Sequence, residues 1–149
     1  LGRVSAAKGD GGAGDGQTRA DIGRAANAGS GEKTMQAYYL EIVTPDVDAV
    51  CANYAAALGV QFGEPDAGLG NARTAPMPGG GMVGVRAPLR ENENPIVRPY
   101  WLVDDIKAAL AAAEKAGGKV AHPPMEIPGH GTFAIYLQGG IDDGLWQRP

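Results

Sequence analysis

The sequence predicts an α+β fold in which paired βαβββ modules form a cup-shaped curved sheet with helices outside. Three observations predict it. A strand pattern, an acidic turn and a helical stripe begin at Tyr39 and begin again at Arg98, an offset of 59 residues. Both helical stripes end at glycine. Short extended segments follow each of them, between clusters of Gly and Pro. Both copies must bury their apolar residues in the same way. The repeat therefore constrains the architecture more than any single motif.

The composition fits one domain of ordinary size. The chain has 149 residues, 44% of them hydrophobic, a formal net charge of −4 and one cysteine, Cys51. These values argue against a nucleic-acid partner, an intramolecular disulfide framework and a cysteine-rich zinc site. No apolar run has the length of a membrane span, so we expect a cytoplasmic protein with no membrane partner.

Residues 1–34 differ in composition from the rest of the chain. They contain many glycines, no aromatic residue and only three large aliphatic side chains. Such a segment buries too little apolar surface to offset its ordering entropy, so we expect a flexible Gly-rich tail. Met35 is a candidate biological start. The domain is predicted over residues 35–149, with modules at about 35–90 and 95–149.

The first module opens with a strand whose residues alternate between two faces. One face carries Tyr38, Leu40 and Ile42, and the other carries Tyr39, Glu41 and Val43. A break at Pro45 then precedes an apolar stripe that predicts a helix ending at Gly59. The stripe consists of Val47, Val50, Cys51, Tyr54 and Leu58. We interpret Cys51 as a buried hydrophobe rather than a nucleophile, since no basic residue is placed to lower the pKa of its thiol.

Further short strands are predicted in both modules from β-type segments bounded by turn residues. In the first module they are Val60 to Glu64, Ala72 to Ala75 and Met82 to Arg86. The second module has a strand at Ile96 to Val103, a helix with the stripe Ile106, Ala109, Leu110 and Ala113, and strands at Lys119 to His122, Gly131 to Gln138 and near Leu145-Trp146. We interpret the Gly79-Gly80-Gly81 run as a hairpin turn and Asp142-Asp143 as a solvated turn.

Several strings of the second module carry a family resemblance. They are Tyr100-Trp101-Leu102-Val103-Asp104-Asp105-Ile106, Ala116-Gly117-Gly118-Lys119-Val120, Pro123-Pro124-Met125-Glu126-Ile127-Pro128-Gly129, Gly131-Thr132-Phe133-Ala134 and Gly144-Leu145-Trp146-Gln147. Together they resemble the vicinal oxygen chelate superfamily, which includes glyoxalase I, bleomycin resistance proteins and extradiol dioxygenases. The resemblance runs from about Tyr38 to Gln147. It implies paired βαβββ modules that form a cup, often completed or flanked by a second subunit, and hence a homodimer.

Metal-using members of this superfamily hold a divalent ion in the cup with His and Glu side chains from the first and last strands of each module. The resemblance places these positions near Tyr39 and Arg98 in the first strands, and near Gly84 and Gly144 in the last strands. None of the four is an ordinary metal ligand, and an arginine repels a cation. We therefore expect no cofactor. A divalent metal held by Glu41 with unusual partners is the open alternative.

Six residues are candidates for ligand binding on the inner face or at the mouth of the cup. They are Tyr39, Glu41, Arg98, Tyr100, His130 and Trp146. Aromatic walls with one acid and one base suit a small amphipathic or aromatic molecule. Glu41 and Arg98 have an alternative, an internal salt bridge that closes the cup. His130 lies in a loop between glycines, where ligand contacts are common. His122 is interpreted as a structural or surface residue, and Trp101 as a core residue on the helix side.

The sequence thus predicts a metal-independent protein of the glyoxalase or bleomycin resistance type that binds a small organic molecule. No catalytic residue is identified. The alternative is an enzyme, either a metal-dependent lyase or dioxygenase, or a metal-free isomerase with Glu41 or His130 as base. A third interpretation is an interaction or dimerisation module with a filled cup.

Overall fold

The computed structural model describes residues 33–149, and residues 35–149 form one compact unit. The predicted Gly-rich tail lies outside the described residues, except for its last two. The elements of the described part are β1 (Ala37–Val43), α1 (Val47–Leu58), β2 (Arg73–Pro76), β3 (Met82–Arg86), β4 (Ile96–Leu102), α2 (Ile106–Lys115), β5 (Lys119–Ile127), β6 (Gly131–Gln138) and β7 (Ile141–Gln147). Short 3₁₀ turns lie at Ala67–Leu69 and Pro78–Gly80.

The strands of both modules join in a single sheet with the order β2-β3-β1-β4-β7-β6-β5. In each module the first strand pairs in parallel with the last strand, β1 with β3 and β4 with β7. The modules meet where β1 runs antiparallel to β4, with Tyr39 opposite Tyr100 and Glu41 opposite Arg98. The sheet is curved and open, so the predicted α+β cup is confirmed.

Both helices form where the apolar stripes predict them. α1 ends at Gly59, whose left-handed φ of 68° suits a residue without a Cβ. α2 follows Asp105, whose side chain accepts a hydrogen bond from a backbone N–H of the first turn. Cys51 and Leu110 are buried against the sheet. The predicted stripe is wrong at Leu58, the last residue of α1, which is 67% exposed.

The predicted strand at 60–64 is wrong. This segment is irregular, with one backbone hydrogen bond from Gly63 to Thr74 of β2 at 2.8 Å. Gly63 and Pro65 interrupt the strand pattern, since glycine weakens a strand and proline lacks a ladder donor. The first module is therefore βαββ, and residues 60–72 form a loop with a 3₁₀ turn.

Two further predictions are corrected by local backbone geometry. A bulge between Ala37 and Tyr39 moves Tyr38 away from the face of Leu40, so that its ring lies 6.1 Å from the ring of Trp146. The Asp142-Asp143 turn is also wrong, since both residues lie within β7. The turn before β7 is formed by Gly139 and Gly140, which both have positive φ.

Two minor predictions are confirmed. The glycine run connects the antiparallel strands β2 and β3 as a hairpin. Trp101 packs on the helix side of the sheet, where its indole N–H donates to Asp143 Oδ1 at 2.9 Å.

No helix between residues 33 and 149 has the length and apolar character needed to cross a membrane.

Candidate functional site

A cavity of about 440 Å³ lies on the face of the sheet opposite the helices. Its lining contains five of the six residues that the sequence indicates for ligand binding: Tyr39, Glu41, Arg98, Tyr100 and Trp146. They come together because β1 and β4 are adjacent, and because alternate residues of a strand share one face. Their contact with a ligand stays a prediction. The filled cup expected for a pure interaction module is not observed.

Glu41 is the centre of a buried charge network that forms the polar floor of the cavity. One carboxylate oxygen accepts from Arg86 Nε at 3.0 Å. The other accepts from Arg98 Nη1 at 2.5 Å and from the Tyr100 hydroxyl at 3.1 Å. Glu41, Arg86 and Arg98 are each at most 8% exposed. Charges so far from water are tolerated only when they are paired, so each member of the floor depends on the others.

Each buried arginine also has an outer carboxylate partner. Arg86 Nη1 lies 2.5 Å from Glu93 Oε1, and Arg98 Nη2 lies 3.3 Å from Asp142 Oδ2. The hydrogen bond from Arg86 lowers the pKa of the Glu93 carboxyl. Arg90, at the exposed rim, is a further cation of the lining. The lining therefore carries three arginines against three carboxylates, which leaves no net charge to attract an ionic ligand.

The internal salt bridge between Glu41 and Arg98, one of the two alternatives left open by the sequence, is present. Both oxygens of Glu41 already accept hydrogen bonds from three donors. Taking up a proton there removes the anion that compensates two buried guanidinium groups. This arrangement argues against Glu41 as the base of an isomerase.

An aromatic wall stands beside this floor and consists of Tyr39, Tyr100, Phe133 and Trp146. Tyr100 meets Trp146 edge-on at 5.7 Å, and Phe133 lies at 29° to Trp146 with centroids 6.4 Å apart. The Trp146 indole N–H donates to the His130 carbonyl at 3.0 Å, which fixes the ring. Such a wall offers apolar faces to a planar molecule.

The two histidines lie in places that the sequence does not predict. His122 lines the cavity, and its ring stacks on Phe133 at 4.8 Å. His122 therefore lies where a ligand could touch it, and its interpretation as a structural or surface residue stays a prediction. His130 is not among the lining residues, and its Nε2 lies 3.0 Å from Asp66 Oδ2. A ligand contact by His130 stays a prediction.

Some lining residues were missed by the sequence analysis. Phe133 had a usable signal, because it alternates in phase with Ile135 on β6 and both line the cavity. Arg86 is the last residue of the predicted strand β3. The spacing of residues along the sequence does not indicate its two carboxylate partners, Glu41 and Glu93. Glu93 lies in a polar loop and reaches Arg86 only through the path of that loop.

Comparisons with known proteins give structural matches and no sequence matches. No protein-family model matches the chain, and no curated protein matches it. The hypothetical protein BH1468 from Bacillus halodurans C-125 matches with a TM-score of 0.64 at 13% identity, over 78% of this chain and 96% of that one. Methylmalonyl-CoA epimerase from Mycobacterium tuberculosis matches with a TM-score of 0.60 at 17% identity, over 76% and 87%. The Streptomyces coelicolor epimerase in complex with 2-nitronate-propionyl-CoA gives 0.57 at 18%, over 78% and 96%.

These neighbours belong to the vicinal oxygen chelate superfamily. The chain has the vicinal oxygen chelate fold. The resemblance seen in the sequence is thereby confirmed at the level of the fold. At identities below a fifth, the likeness shows the fold and does not identify the ligand or the reaction.

In this vicinal oxygen chelate fold, the implied metal-ligand positions are filled in an unusual way. A Cβ placed on Gly84 would overlap the Tyr39 hydroxyl, and a Cβ placed on Gly144 would overlap the Tyr100 ring. Any side chain at either glycine therefore requires a tyrosine to move. Tyr39 is itself the implied position in the first strand of the first module. In the second module that position is Arg98, whose guanidinium forms an ion pair with Glu41.

These residues do not fit a divalent ion. Glycine offers no side-chain ligand, and a guanidinium repels a cation. Burial raises the pKa of the phenols of Tyr39 and Tyr100, and the negative charge of Glu41 raises both further, so both stay protonated at neutral pH. Within residues 33–149, no three His, Cys, Asp or Glu side chains form a group able to hold a metal ion.

Proposed function

We propose that this protein binds a small, uncharged aromatic or amphipathic molecule in the cavity without the help of a metal ion. One observation carries the proposal. Tyr39, Gly84, Gly144 and the paired Arg98 occupy the implied metal positions, with a tyrosine over each glycine, and yet a cavity of about 440 Å³ remains beside them. Cavities of this size are typical of small-molecule sites.

The charge balance of the lining supports an uncharged ligand. The guanidinium groups of Arg86 and Arg98 are each paired with two carboxylates. An anionic ligand group must displace one of these carboxylates to bind Arg86 or Arg98, and displacing Glu41 or Glu93 leaves a buried carboxylate unpaired. The free energy of binding then comes mainly from burial of aromatic surface against the wall.

The structural neighbours support an organic ligand in a cup of this fold. The S. coelicolor epimerase is in complex with 2-nitronate-propionyl-CoA, and another epimerase is in complex with methylmalonyl-CoA and NH4+. A homodimer and a cytoplasmic location, both expected from the sequence, stay predictions.

Equilibrium dialysis of chelator-treated protein with 2-naphthol tests the proposal. We expect saturable binding at one site per chain, with an affinity that does not change when Ni, Zn, Mn or Fe(II) is added. Phe133→Ala removes part of the wall and should weaken binding. Tyr54→Ala is the matched control, because Tyr54 packs with Phe62 on the helix side. No saturable binding, or binding that depends on added metal, contradicts the proposal.

A further inference from the structure

Most polar groups of the cavity are already committed to one another. Glu41, Arg86 and Arg98 are bonded within the floor, and the Tyr100 hydroxyl donates to Glu41. In the part of the chain that the structure describes, Tyr39 Oη and Arg98 Nε lack a hydrogen-bond partner, but both atoms are closed off from solvent. A molecule in the cavity therefore cannot reach them without a rearrangement of the floor.

His122 differs from these groups. One of its ring nitrogens has a hydrogen-bond partner, and the other has none among the described residues. Nδ1 lies 2.7 Å from the carbonyl oxygen of Pro123. A carbonyl oxygen only accepts hydrogen bonds, so Nδ1 must carry the proton. In the neutral imidazole Nε2 then carries a lone pair. Nε2 has no partner within residues 33–149 and is not among the buried unpaired atoms.

The ring that carries this lone pair is held at the end of the aromatic wall. His122 stacks on Phe133 with an interplanar angle of 29°, and Phe133 is itself nearly parallel to Trp146. Two prolines, Pro123 and Pro124, follow His122 on the edge strand β5 and stiffen the backbone there. The imidazole ring is therefore held beside the aromatic surface of the cavity.

We propose that His122 Nε2 is the hydrogen-bond acceptor for the ligand, and that the ligand is an aromatic molecule with a hydroxyl group, of the phenol class. This inference rests on the proposed function. A neutral hydroxyl fits a lining with no net charge and supplies the proton that Nε2 lacks. A carboxylate supplies no proton to Nε2.

The test compares 2-naphthol with 2-methoxynaphthalene, which has the same ring system but no O–H, by equilibrium dialysis. One hydrogen bond contributes about 0.5–1.5 kcal/mol net, so we expect 2-naphthol to bind about two- to twelvefold more tightly. His122→Phe keeps a ring to stack on Phe133 and removes the acceptor, and should abolish this preference. Glu126→Gln is the control, since Glu126 is exposed on the same strand and does not line the cavity.

A second readout uses the unmodified protein and so does not depend on the folding of a variant. The chain contains two histidines, and the ¹⁵N NMR signal of His122 Nε2 should shift with 2-naphthol but not with 2-methoxynaphthalene. Equal affinities for the two compounds, or a preference that survives in His122→Phe, overturns this inference and leaves the proposed function in place. Failure of both compounds to bind overturns the proposed function as well.

Discussion

The two modules place a tyrosine over a glycine at matching points of the sheet, but their tyrosine hydroxyls have different environments. Tyr39 covers Gly84, and Tyr100 covers Gly144. The Tyr100 hydroxyl donates to Glu41 at 3.1 Å, whereas the Tyr39 hydroxyl is buried with no partner among the described residues. A tyrosine thus packs on the last-strand glycine of each module, although the two tyrosines stand at different positions of the repeat and have different polar groups around them.

The asymmetry comes from the residues that correspond under the repeat. Position 41 of the first module corresponds to position 100 of the second, and position 39 corresponds to position 98. Because β1 and β4 are antiparallel, Glu41 lies opposite Arg98, and Tyr39 lies opposite Tyr100. The pseudo-symmetric pairs are therefore one salt bridge and one aromatic pair. A site that the family resemblance assigns to a metal is here a contact between the modules.

Glu41→Gln should break this contact with the largest effect. It leaves Arg86 and Arg98 buried without their shared anion, so we expect a loss of about 3–5 kcal/mol in the free energy of unfolding. Urea denaturation followed by circular dichroism measures it. The exposed Glu126→Gln should stay within about 0.5 kcal/mol of the unmodified protein. A loss below about 1 kcal/mol for Glu41→Gln means that the floor is not a coupled unit.

Gly144→Ala tests the packing that the modules share. The new methyl group overlaps the Tyr100 ring, and overpacking of this kind destabilises by about 1–3 kcal/mol. Gly84→Ala should behave similarly through Tyr39. Gly63→Ala is the matched control, because its nearest neighbour is an oxygen 3.9 Å away. Thermal unfolding compares the three variants, and equal melting temperatures argue against the ring-on-glycine contacts.

Glu93 gives the network a dependence on pH. Its hydrogen bond from Arg86 lowers its pKa in the folded state. Its stabilising effect is therefore fully present above the ordinary carboxyl pKa of about 4.3 and is lost as the pH falls through the lower folded value. Glu93→Gln should cost about 1–2 kcal/mol at neutral pH. The difference from the unmodified protein should shrink in acid, and a difference that is the same at pH 7 and pH 3 contradicts this assignment.

Only one of the two tyrosine hydroxyls has a hydrogen-bond partner among the described residues. Removing the two hydroxyls in turn should therefore have small and different effects on the free energy of unfolding. Tyr100→Phe removes a hydrogen bond to Glu41 and should destabilise by about 1 kcal/mol. Tyr39→Phe removes a buried hydroxyl without a partner, so its free energy of unfolding should stay the same or rise. Chemical denaturation of the two variants side by side measures the contrast. A larger loss in Tyr39→Phe than in Tyr100→Phe would reverse the comparison.

The sequence predicts the fold better than the site. The helices and strands follow from patterns within a few residues, whereas the site brings together residues far apart along the chain. Helical stripes and strand alternation are local, so α1, α2 and β1 were predictable from spacing. The pairing of Glu41 with Arg98 followed from the repeat, which places both on matching strands. Arg86 and Glu93 meet only through a loop, and the register of β5 shifts on both sides of His122, so simple alternation does not give its face. Neither had a local signal.

The most direct test of the account is a crystal structure of the protein grown with both zinc and 2-naphthol. We predict that 2-naphthol lies against Phe133 and Trp146, with the Glu41–Arg98 pair intact and Tyr39 and Tyr100 still over their glycines. A zinc ion bound by Glu41, with Arg98 displaced, would contradict the account.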